Sequence, residues 1–234
     1  MNWQALWLTF QLAACTSILL LVIGLPVSYW VAFSQWRWKF FVEAIVALPL
    51  VLPPTVLGFY VLIAIGPRSP IGAWYERFAG HGLAFTFEGL VIGSTLYSLP
   101  FAVQPIAAAF ASVERKLIEA SWMLGASNLE TFFRVVVPQS WRGLITGFVL
   151  AFAHTLGEFG VVLMVGGNIP GVTRTVSIDI YDQVQSLNYS SAGLTSLVLL
   201  TASFVILSIV YAVNRQKGRT FIVGADRRYS QELR

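Results

Sequence analysis

Residues 117–139, LIEASWMLGASNLETFFRVVVPQ, decide how this chain is interpreted, because they place two short charged helices between long apolar segments. Gly125 is typical of a helix end, since glycine readily takes the left-handed backbone conformation. Ser127 and Glu130 have the spacing of a capping box, which predicts that a second helix starts at once. Pro138 is expected to end that helix. The stretch therefore predicts two helices joined by a tight turn, each too short to cross a membrane.

The first of these helices has two distinct sides. Arg115 and Glu119 are four residues apart and are expected to pair on one of them. An apolar stripe on the other side consists of Val113, Leu117, Ala120 and Leu124. Such a stripe suits a groove on a soluble partner, and it also suits the lipid surface. The residues alone leave these two alternatives open.

The sequence around this unit is that of a membrane protein. Of the 234 residues, 56% are hydrophobic and 11% are charged, and the mean hydropathy is +0.72, which excludes an ordinary soluble domain. A transmembrane helix needs about 20 predominantly apolar residues. The predicted fold is therefore an all-α integral membrane protein with one domain over residues 1–234. Its five predicted spans are 6–33, 41–66, 89–113, 143–167 and 192–213, and the charged unit occupies 114–138.

Prolines interrupt two of the predicted spans. Pro49, Pro53 and Pro54 lie in the second span, and Pro100 and Pro105 lie in the third. Each proline removes a backbone donor and bends a helix, which a membrane tolerates where neighbouring groups or water satisfy the freed carbonyls. These bends are either packing kinks or the flanks of a polar path and a moving element.

Two long loops are predicted on the side of the membrane opposite the charged unit, and they differ in their predicted structure. Residues 67–88 contain the turn signals GPRSP and GHG and are predicted to form turns. Residues 176–184, VSIDIYDQV, are predicted to form a short interfacial helix within the second loop.

Basic residues divide unequally between the two sides of the predicted spans. If the loop SQWRWK is cytoplasmic, twelve basic residues share its side and three lie opposite, which predicts an outside N-terminus and a cytoplasmic C-terminus. This placement accounts for the net charge of +4 and argues against nucleic-acid binding. The twelve are Arg37, Lys39, Arg115, Lys116, Arg134, Arg142, Arg215, Lys217, Arg219, Arg227, Arg228 and Arg234; the three are Arg68, Arg77 and Arg174.

The charged unit resembles the EAA loop of binding-protein-dependent ABC importer permeases. Residues 119–125, EASWMLG, and 135–138, VVVP, match that family's pattern of Glu-Ala-Ala, three residues, Gly, nine residues, Ile, one residue and Leu-Pro. The departures, Ser121, Val135 and Val137, are small or conservative. The resemblance implies that 114–138 is a coupling loop that docks on a separate ATP-binding subunit. The implied coupling residues are Glu119, Ala120, Ser121, Gly125, Ala126 and Ser127.

The chain has no ATP site of its own by sequence. Its lysines, Lys39, Lys116 and Lys217, all lack the phosphate-loop pattern GxxxxGK[ST]. Cys15 is the only cysteine, which excludes a cysteine metal cluster. The chain is therefore expected to be a transport subunit rather than an enzyme, without a cofactor or metal, and the resemblance implies that the partner subunit binds ATP and Mg.

Longer stretches extend the similarity over most of the chain. Residues 48–62, 98–121, 153–175 and 177–184 together resemble molybdate ABC transporter permeases, and sulfate/thiosulfate and tungstate permeases share the GEFG stretch. The resemblance implies a MetI-like transmembrane fold in the bacterial inner membrane. It also implies a homodimer, two cytoplasmic ATPase subunits and a periplasmic molybdate-binding protein. Tungstate and sulfate or thiosulfate remain the alternative substrates.

An oxyanion needs a polar path through the bilayer. The predicted spans contain no lysine or arginine, and their ionisable residues are His154 and Glu158, with Glu43 at the edge. The anion is therefore expected to bind weakly, through backbone amides, helix ends and hydroxyls. Because a charged carboxylate would repel it, we interpret Glu158 as structural, protonated or hydrogen-bonded to a neighbouring helix, with a ligand role as the alternative. The hydroxyls expected to bind it are those of Thr55, Ser94, Thr95 and Ser98. Candidates for the path or gate are Pro53, Pro54, Thr55, Ser94, Ser98, Pro100 and Glu158.

The three outer arginines, Arg68, Arg77 and Arg174, are candidate contacts for an acidic lobe of the binding protein, and solvated loop charges are the alternative. An ion-coupled secondary transporter is the rival class. It is expected to show an internal repeat and several ionisable residues within its spans, and this sequence has neither.

Overall fold

The computed structural model describes residues 2–214, and every regular element in that part of the chain is a helix. In chain order these are α1 (Trp3–Phe33), α2 (Lys39–Val51), α3 (Pro54–Ile65), α4 (Pro70–Ala79), α5 (Phe87–Ala111), α6 (Arg115–Met123), α7 (Asn128–Thr131), a π-helical turn (Phe132–Val136), α8 (Val137–Gln139), α9 (Trp141–Leu156), α10 (Gly160–Gly166), α11 (Val176–Gln185) and α12 (Tyr189–Asn214). Of the twelve basic residues predicted to be cytoplasmic, the six from Arg215 onward lie outside the described residues.

Three of these helices, α1, α5 and α12, are long and apolar enough to cross a bilayer. They coincide with the predicted spans 6–33, 89–113 and 192–213 to within three residues. Among the described residues, two bent helix pairs bring the number of candidate spans to as many as five if each pair counts as one.

The predicted span 41–66 is not one kinked helix. The structure divides it into α2 and α3, whose axes differ by 114°. Leu52, at the end of α2, has an extended backbone, φ −70° and ψ 136°, as expected for a residue that precedes a proline. Pro54 then occupies the first turn of α3, where a missing N–H costs nothing. Two consecutive prolines therefore break the span rather than bend it.

The predicted span 143–167 is also broken. Helix α9 ends at Leu156, residues 157–159 are not helical, and α10 begins at Gly160. Gly157 caps α9, and Phe159 has φ −128° and ψ −60°, outside the helical range. Glycine loses more backbone entropy in a helix than other residues, so GEFG is a natural place for the break.

The two short helices that follow these breaks, α3 and α10, pack directly against each other. A Cβ on Gly160 would lie 2.7 Å from Pro54 Cβ, and a Cβ on Gly58 would lie 2.7 Å from Met164 Cβ. The helices therefore start side by side and run in the same direction. Only glycine at both positions allows so close an approach.

The core lies among α1, α5 and α9. Its side chains with almost no exposure include Leu12 and Leu20 on α1, Ile106 on α5 and Ala151 on α9. By contrast, α12 exposes a row of large apolar side chains, Leu194, Leu197, Leu200 and Phe204, as expected for a surface against lipid.

The region predicted as turns, 67–88, contains the additional helix α4. Its signals are present in the sequence: the Ser69 hydroxyl accepts a hydrogen bond from the Gly72 N–H at 2.8 Å, Pro70 is the first helical residue, and Gly80 ends the helix with φ +76°. The prediction of turns alone was wrong because serine, proline and glycine occur at the ends of helices as well as in turns.

The predicted short helix in the second outer loop is present as α11, and the structure ties it to the start of α1. The Val176 N–H donates to the Thr9 hydroxyl at 2.8 Å, and the Asn2 amide donates to the Asp179 carboxylate at 3.0 Å. Val176, Ile178 and Asp179 are buried. The helix is therefore packed against protein on one side.

Candidate coupling surface and transport path

The charged unit folds locally as its residues predict. Helix α6 ends at Met123, and Gly125 follows with φ +84°. The Ser127 hydroxyl accepts a hydrogen bond from the Glu130 N–H at 3.2 Å, which starts α7. Arg115 Nε lies 2.9 Å from Glu119 Oε1. These are interactions between near neighbours, which is why the sequence sufficed to predict them.

The side of α6 that packs on the protein is not the predicted apolar stripe. Ile118 is the buried residue, 8% exposed, whereas Leu117, Ala120 and Leu124 are exposed and Val113 is half-buried. The stripe is therefore left uncovered by the rest of residues 2–214, and its two predicted roles, docking on a soluble partner or lying on lipid, both stay open.

The exposed side of the unit forms an apolar surface, and we call this set of residues the coupling surface. Met123 and Leu124 are each 89% exposed, far more than expected for large apolar side chains without a partner. Its other members are Leu117, Trp122, Leu129 and Phe133.

The buried side attaches the unit firmly to the long helices. Ile118 lies in one cluster with Ile106 and Phe110 of α5. The Phe132 ring contacts Tyr29 of α1 edge-on, with 5.1 Å between ring centroids. A force applied at the coupling surface would therefore reach both α1 and α5.

The second helix ends at Gln139, one residue beyond the predicted end at Pro138. The chain remains helical from Asn128 to Gln139, passes through a π-helical turn and bends by 74° only before α9. Pro138 lies in the first turn of α8, where its missing N–H is tolerated. The bend follows at Ser140, whose φ of −106° and ψ of 8° are not helical.

The predicted path residues separate into two groups. Pro53 and Thr55 are exposed at the α2–α3 break, with Pro54 half-buried between them. The second group is enclosed between α5 and its neighbours: Ser94, Thr95, Ser98 and Pro100. The structure does not bring all these candidates to one surface, so the buried group cannot touch an anion in this conformation.

Ser98 links α5 to α9 through hydrogen bonds. Its Oγ lies 2.9 Å from His154 Nδ1 and 3.0 Å from Thr155 Oγ1, and the Thr155 hydroxyl donates to the Ala151 carbonyl at 2.9 Å. The His154 ring stacks on Phe101 with 4.0 Å between centroids. The contacts with Ser98 and Phe101 therefore fix the orientation of the His154 side chain.

Glu158 lies in the break between α9 and α10 and is 4% exposed. Neither carboxyl oxygen has a hydrogen-bond partner within residues 2–214, although the Ser94 hydroxyl is adjacent. Of the two forms predicted for a structural Glu158, the hydrogen-bonded one is not formed at this geometry among residues 2–214, and the protonated one stays a prediction. The buried position agrees with a structural role for Glu158 rather than with contact to an anion.

The three outer arginines have different surroundings. Arg174 Nη2 lies 3.4 Å from Asp182 Oδ2, and Arg174 Nε donates to Asn168 Oδ1 at 2.6 Å. Arg68 and Arg77 are exposed. Arg174 therefore holds the second outer loop against α11, which its position in the sequence did not indicate, and the other two are the freer surface charges.

This architecture, an all-helical membrane bundle with a protruding apolar unit, is that of an ABC importer permease. An inward-facing structure of the MetNI methionine ABC transporter matches it with a TM-score of 0.68 and 19% identity, over 90% of this chain and 95% of that one. The chain belongs to the family described as "Binding-protein-dependent transport system inner membrane component", whose sequence model matches residues 24–219.

Two relatives indicate the branch of the family. The chain is 49% identical over 214 residues to the "Molybdenum transport system permease protein ModB" of Azotobacter vinelandii, covering 91% of this chain and 94% of that protein. It is 33% identical over 207 residues to the "Probable sulfate transport system permease protein cysT" of Chlorella vulgaris, covering 88% and 77% respectively.

Proposed function

We propose that this chain is the transmembrane subunit of an ABC importer that carries molybdate into the bacterial cytoplasm. The observation that carries the proposal is the 49% identity, over nearly the whole of both chains, to a permease named for molybdenum transport. The 33% identity to a permease named for sulfate transport supports sulfate less strongly. Tungstate, a similar tetrahedral oxyanion, and thiosulfate are the remaining alternatives.

The proposed assembly contains two copies of this chain, two cytoplasmic ATPase subunits that bind ATP and Mg, and a periplasmic molybdate-binding protein. The coupling surface supports an ATPase partner, because its exposed apolar side chains suit a protein groove. Glu119, Ala120, Ser121, Gly125, Ala126 and Ser127 are the proposed coupling residues. Exposed Arg68 and Arg77 support a contact with an acidic lobe of the binding protein.

In the proposed mechanism, ATP binding closes the ATPases and draws the two coupling surfaces together. The contacts of Ile118 and Phe132 pass this movement to α5 and α1, and the breaks at Pro53 and Gly157 let the short helices reorient. The anion then enters from the binding protein and is released to the cytoplasm after hydrolysis. Thr55, exposed at the first break, is the hydroxyl best placed to touch it.

The test is uptake of radiolabelled molybdate by cells with and without this chain, in the presence of excess sulfate or tungstate. We expect loss of uptake on deletion and no competition from sulfate. Competition by sulfate at equal concentration, or unchanged uptake after deletion, would overturn the proposed substrate. A purified chain that transports without an ATPase would instead support an ion-coupled secondary transporter.

A further inference from the structure

One side of α5 carries polar groups that the described structure leaves unpaired. Tyr97, Phe101 and Gln104 are spaced by four and three residues and so share a helix side. The Tyr97 ring lies 4.8 Å and the Phe101 ring 4.0 Å from the ring of His154 on α9. The Tyr97 hydroxyl and the Gln104 amide have no hydrogen-bond partner among residues 2–214. We call Tyr97, Phe101, Gln104 and His154 the open face.

The hydrogen bonds behind the open face determine which nitrogen of His154 carries the proton in the neutral ring. The Thr155 hydroxyl uses its hydrogen on the Ala151 carbonyl, so Thr155 Oγ1 accepts from Ser98. Ser98 has then used its only hydrogen, and its oxygen accepts from His154 Nδ1–H. The remaining nitrogen, Nε2, therefore has a free lone pair. It has no partner in the described structure and is not sealed from the surface.

The open face is unsuited to lipid. Polar side chains within membrane spans face a bundle interior or a water-filled cavity. The outward surfaces of α1 and α12 are mostly apolar, as shown by Ile18 and Val22 on α1 and by Leu197 on α12. Tyr97 lies ten residues after the start of α5 and Gln104 lies seven residues before its end. The open face thus suits the path between two copies at the depth of the bilayer centre.

Resting on the molybdate import proposed above, we propose that His154 contacts the oxyanion directly, through Nε2, and that it takes up a proton there when the anion binds. An oxyanion offers only acceptors, so the Nε2 lone pair of the neutral ring cannot hold it. A proton from water on Nε2 turns the ring into a charged donor, and the anion supplies the counter-charge. Tyr97 and Gln104 add neutral donors above and below.

No permanently charged residue on the neighbouring elements provides the positive charge that the protonated His154 ring would offer the anion. On α5, the titratable neighbour of His154 is Tyr97. In the segment that carries His154, it is Glu158, which follows His154 by four residues and is buried. Helices α1 and α12 contribute no charged residue. Near Gln104, Glu43 lines a cavity of about 310 Å³, but its carboxylate lies 3.4 Å from Lys39. His154 is therefore the one group on the open face that is able to become cationic.

The experiment compares four forms of the chain, each reconstituted in vesicles with its ATPase and binding-protein partners. His154→Phe keeps the ring stacking but removes both nitrogens, His154→Gln keeps a neutral donor, and His81→Phe is the matched control in the outer loop. Uptake of radiolabelled molybdate and ATP hydrolysis are measured between about pH 5 and about pH 8, so that the range includes protonation of a histidine whose charged form is stabilised only by the bound anion. Co-purification with the ATPase verifies assembly of each form.

We expect wild-type uptake to rise as the pH falls, since protonation creates the donor. His154→Phe is expected to lower uptake about tenfold, the scale of one charge-assisted hydrogen bond, and to abolish this rise. His154→Gln is expected to transport at an intermediate, pH-independent rate, and His81→Phe as the wild type. If His154→Phe does not assemble, the pH profile of His154→Gln tests the inference instead, because this variant cannot become charged.

A wild-type pH profile in either His154 variant would overturn the inference and leave the proposed importer intact. If the wild-type assembly itself takes up no molybdate, the proposed function fails first. The two failures are therefore distinguishable in the same set of vesicles.

Discussion

Gly125 has a φ of +84°, in the left-handed region that side chains with a Cβ rarely adopt. A Cβ there would meet no atom within 4 Å, so a substitution costs backbone strain and no steric clash. The turn between α6 and α7 depends on this one residue, and the coupling surface depends on the turn.

We expect Gly125→Val to destabilise the turn by about 1–2 kcal/mol while leaving membrane insertion intact. Transport should then be lost or strongly reduced while the ATPase still hydrolyses ATP, because the coupling surface no longer has its shape. Uptake and hydrolysis by the purified, reconstituted variant measure this. Glu119→Lys, which replaces the partner of Arg115 with a like charge, is expected to act in the same direction. Unchanged uptake in either variant would contradict the assignment of 114–138 as the coupling loop.

The short helices α3 and α10 approach each other closely through glycine. Gly58 faces Met164 and Val161, and its added Cβ would lie 3.1 Å from the Val161 Cα as well as 2.7 Å from Met164 Cβ. Backbone atoms cannot yield as a flexible side chain does. The close contact between the two short helices therefore requires glycine at position 58.

Gly58→Ala is expected to lower stability by about 1–3 kcal/mol, since the added methyl group forces α3 and α10 apart. Thermal unfolding in detergent measures this effect. Gly193→Ala on α12 is the matched control: it also replaces a helical glycine, but nothing lies within 4 Å of its added Cβ. The control should be neutral or slightly stabilising, because alanine favours the helix. Equal melting temperatures for the two variants would show that the α3–α10 contact carries no stability.

At the scale of the whole molecule, the basic residues predict which end of the bundle faces the cytoplasm. The coupling surface and the end of α1 share one end with Arg115 and Lys116. The opposite end carries α4 with Arg77, and α11. The predicted orientation therefore places the coupling surface in the cytoplasm, where the proposed ATPase is. It places α4 and α11 outside, where the proposed binding protein is.

Cysteine labelling tests this orientation in a Cys15→Ser background, because Cys15 is the only cysteine. A membrane-impermeant maleimide is expected to label His81→Cys in intact spheroplasts and Lys116→Cys only after permeabilisation. In cells that lack the ATPase partner, which is proposed to cover the 114–138 loop, both positions are exposed and access depends on the side of the membrane alone. Labelling of Lys116→Cys in intact spheroplasts would reverse the predicted topology.

Composition and short-range spacing were enough to predict the membrane character, the helix caps of the charged unit and the ion pair of Arg115 with Glu119. These features follow from composition or from residues three or four positions apart, so no distant contact is needed to predict them. The break of the second span was predicted only in part. Consecutive prolines indicate that a helix bends, but they do not determine the angle of the bend.

The tertiary structure alone decided which side of α6 is buried, how α3 and α10 pair, that Ser94 and Ser98 are enclosed, and how His154 is held. Each of these depends on residues far apart in the chain, such as Ile118 with Phe110 or Ser98 with His154. A polar residue in an apolar segment has the same sequence signature whether it lines a path or supports a neighbour. Its hydrogen-bond partners and its exposure separate the two, and these exist only once the helices have packed.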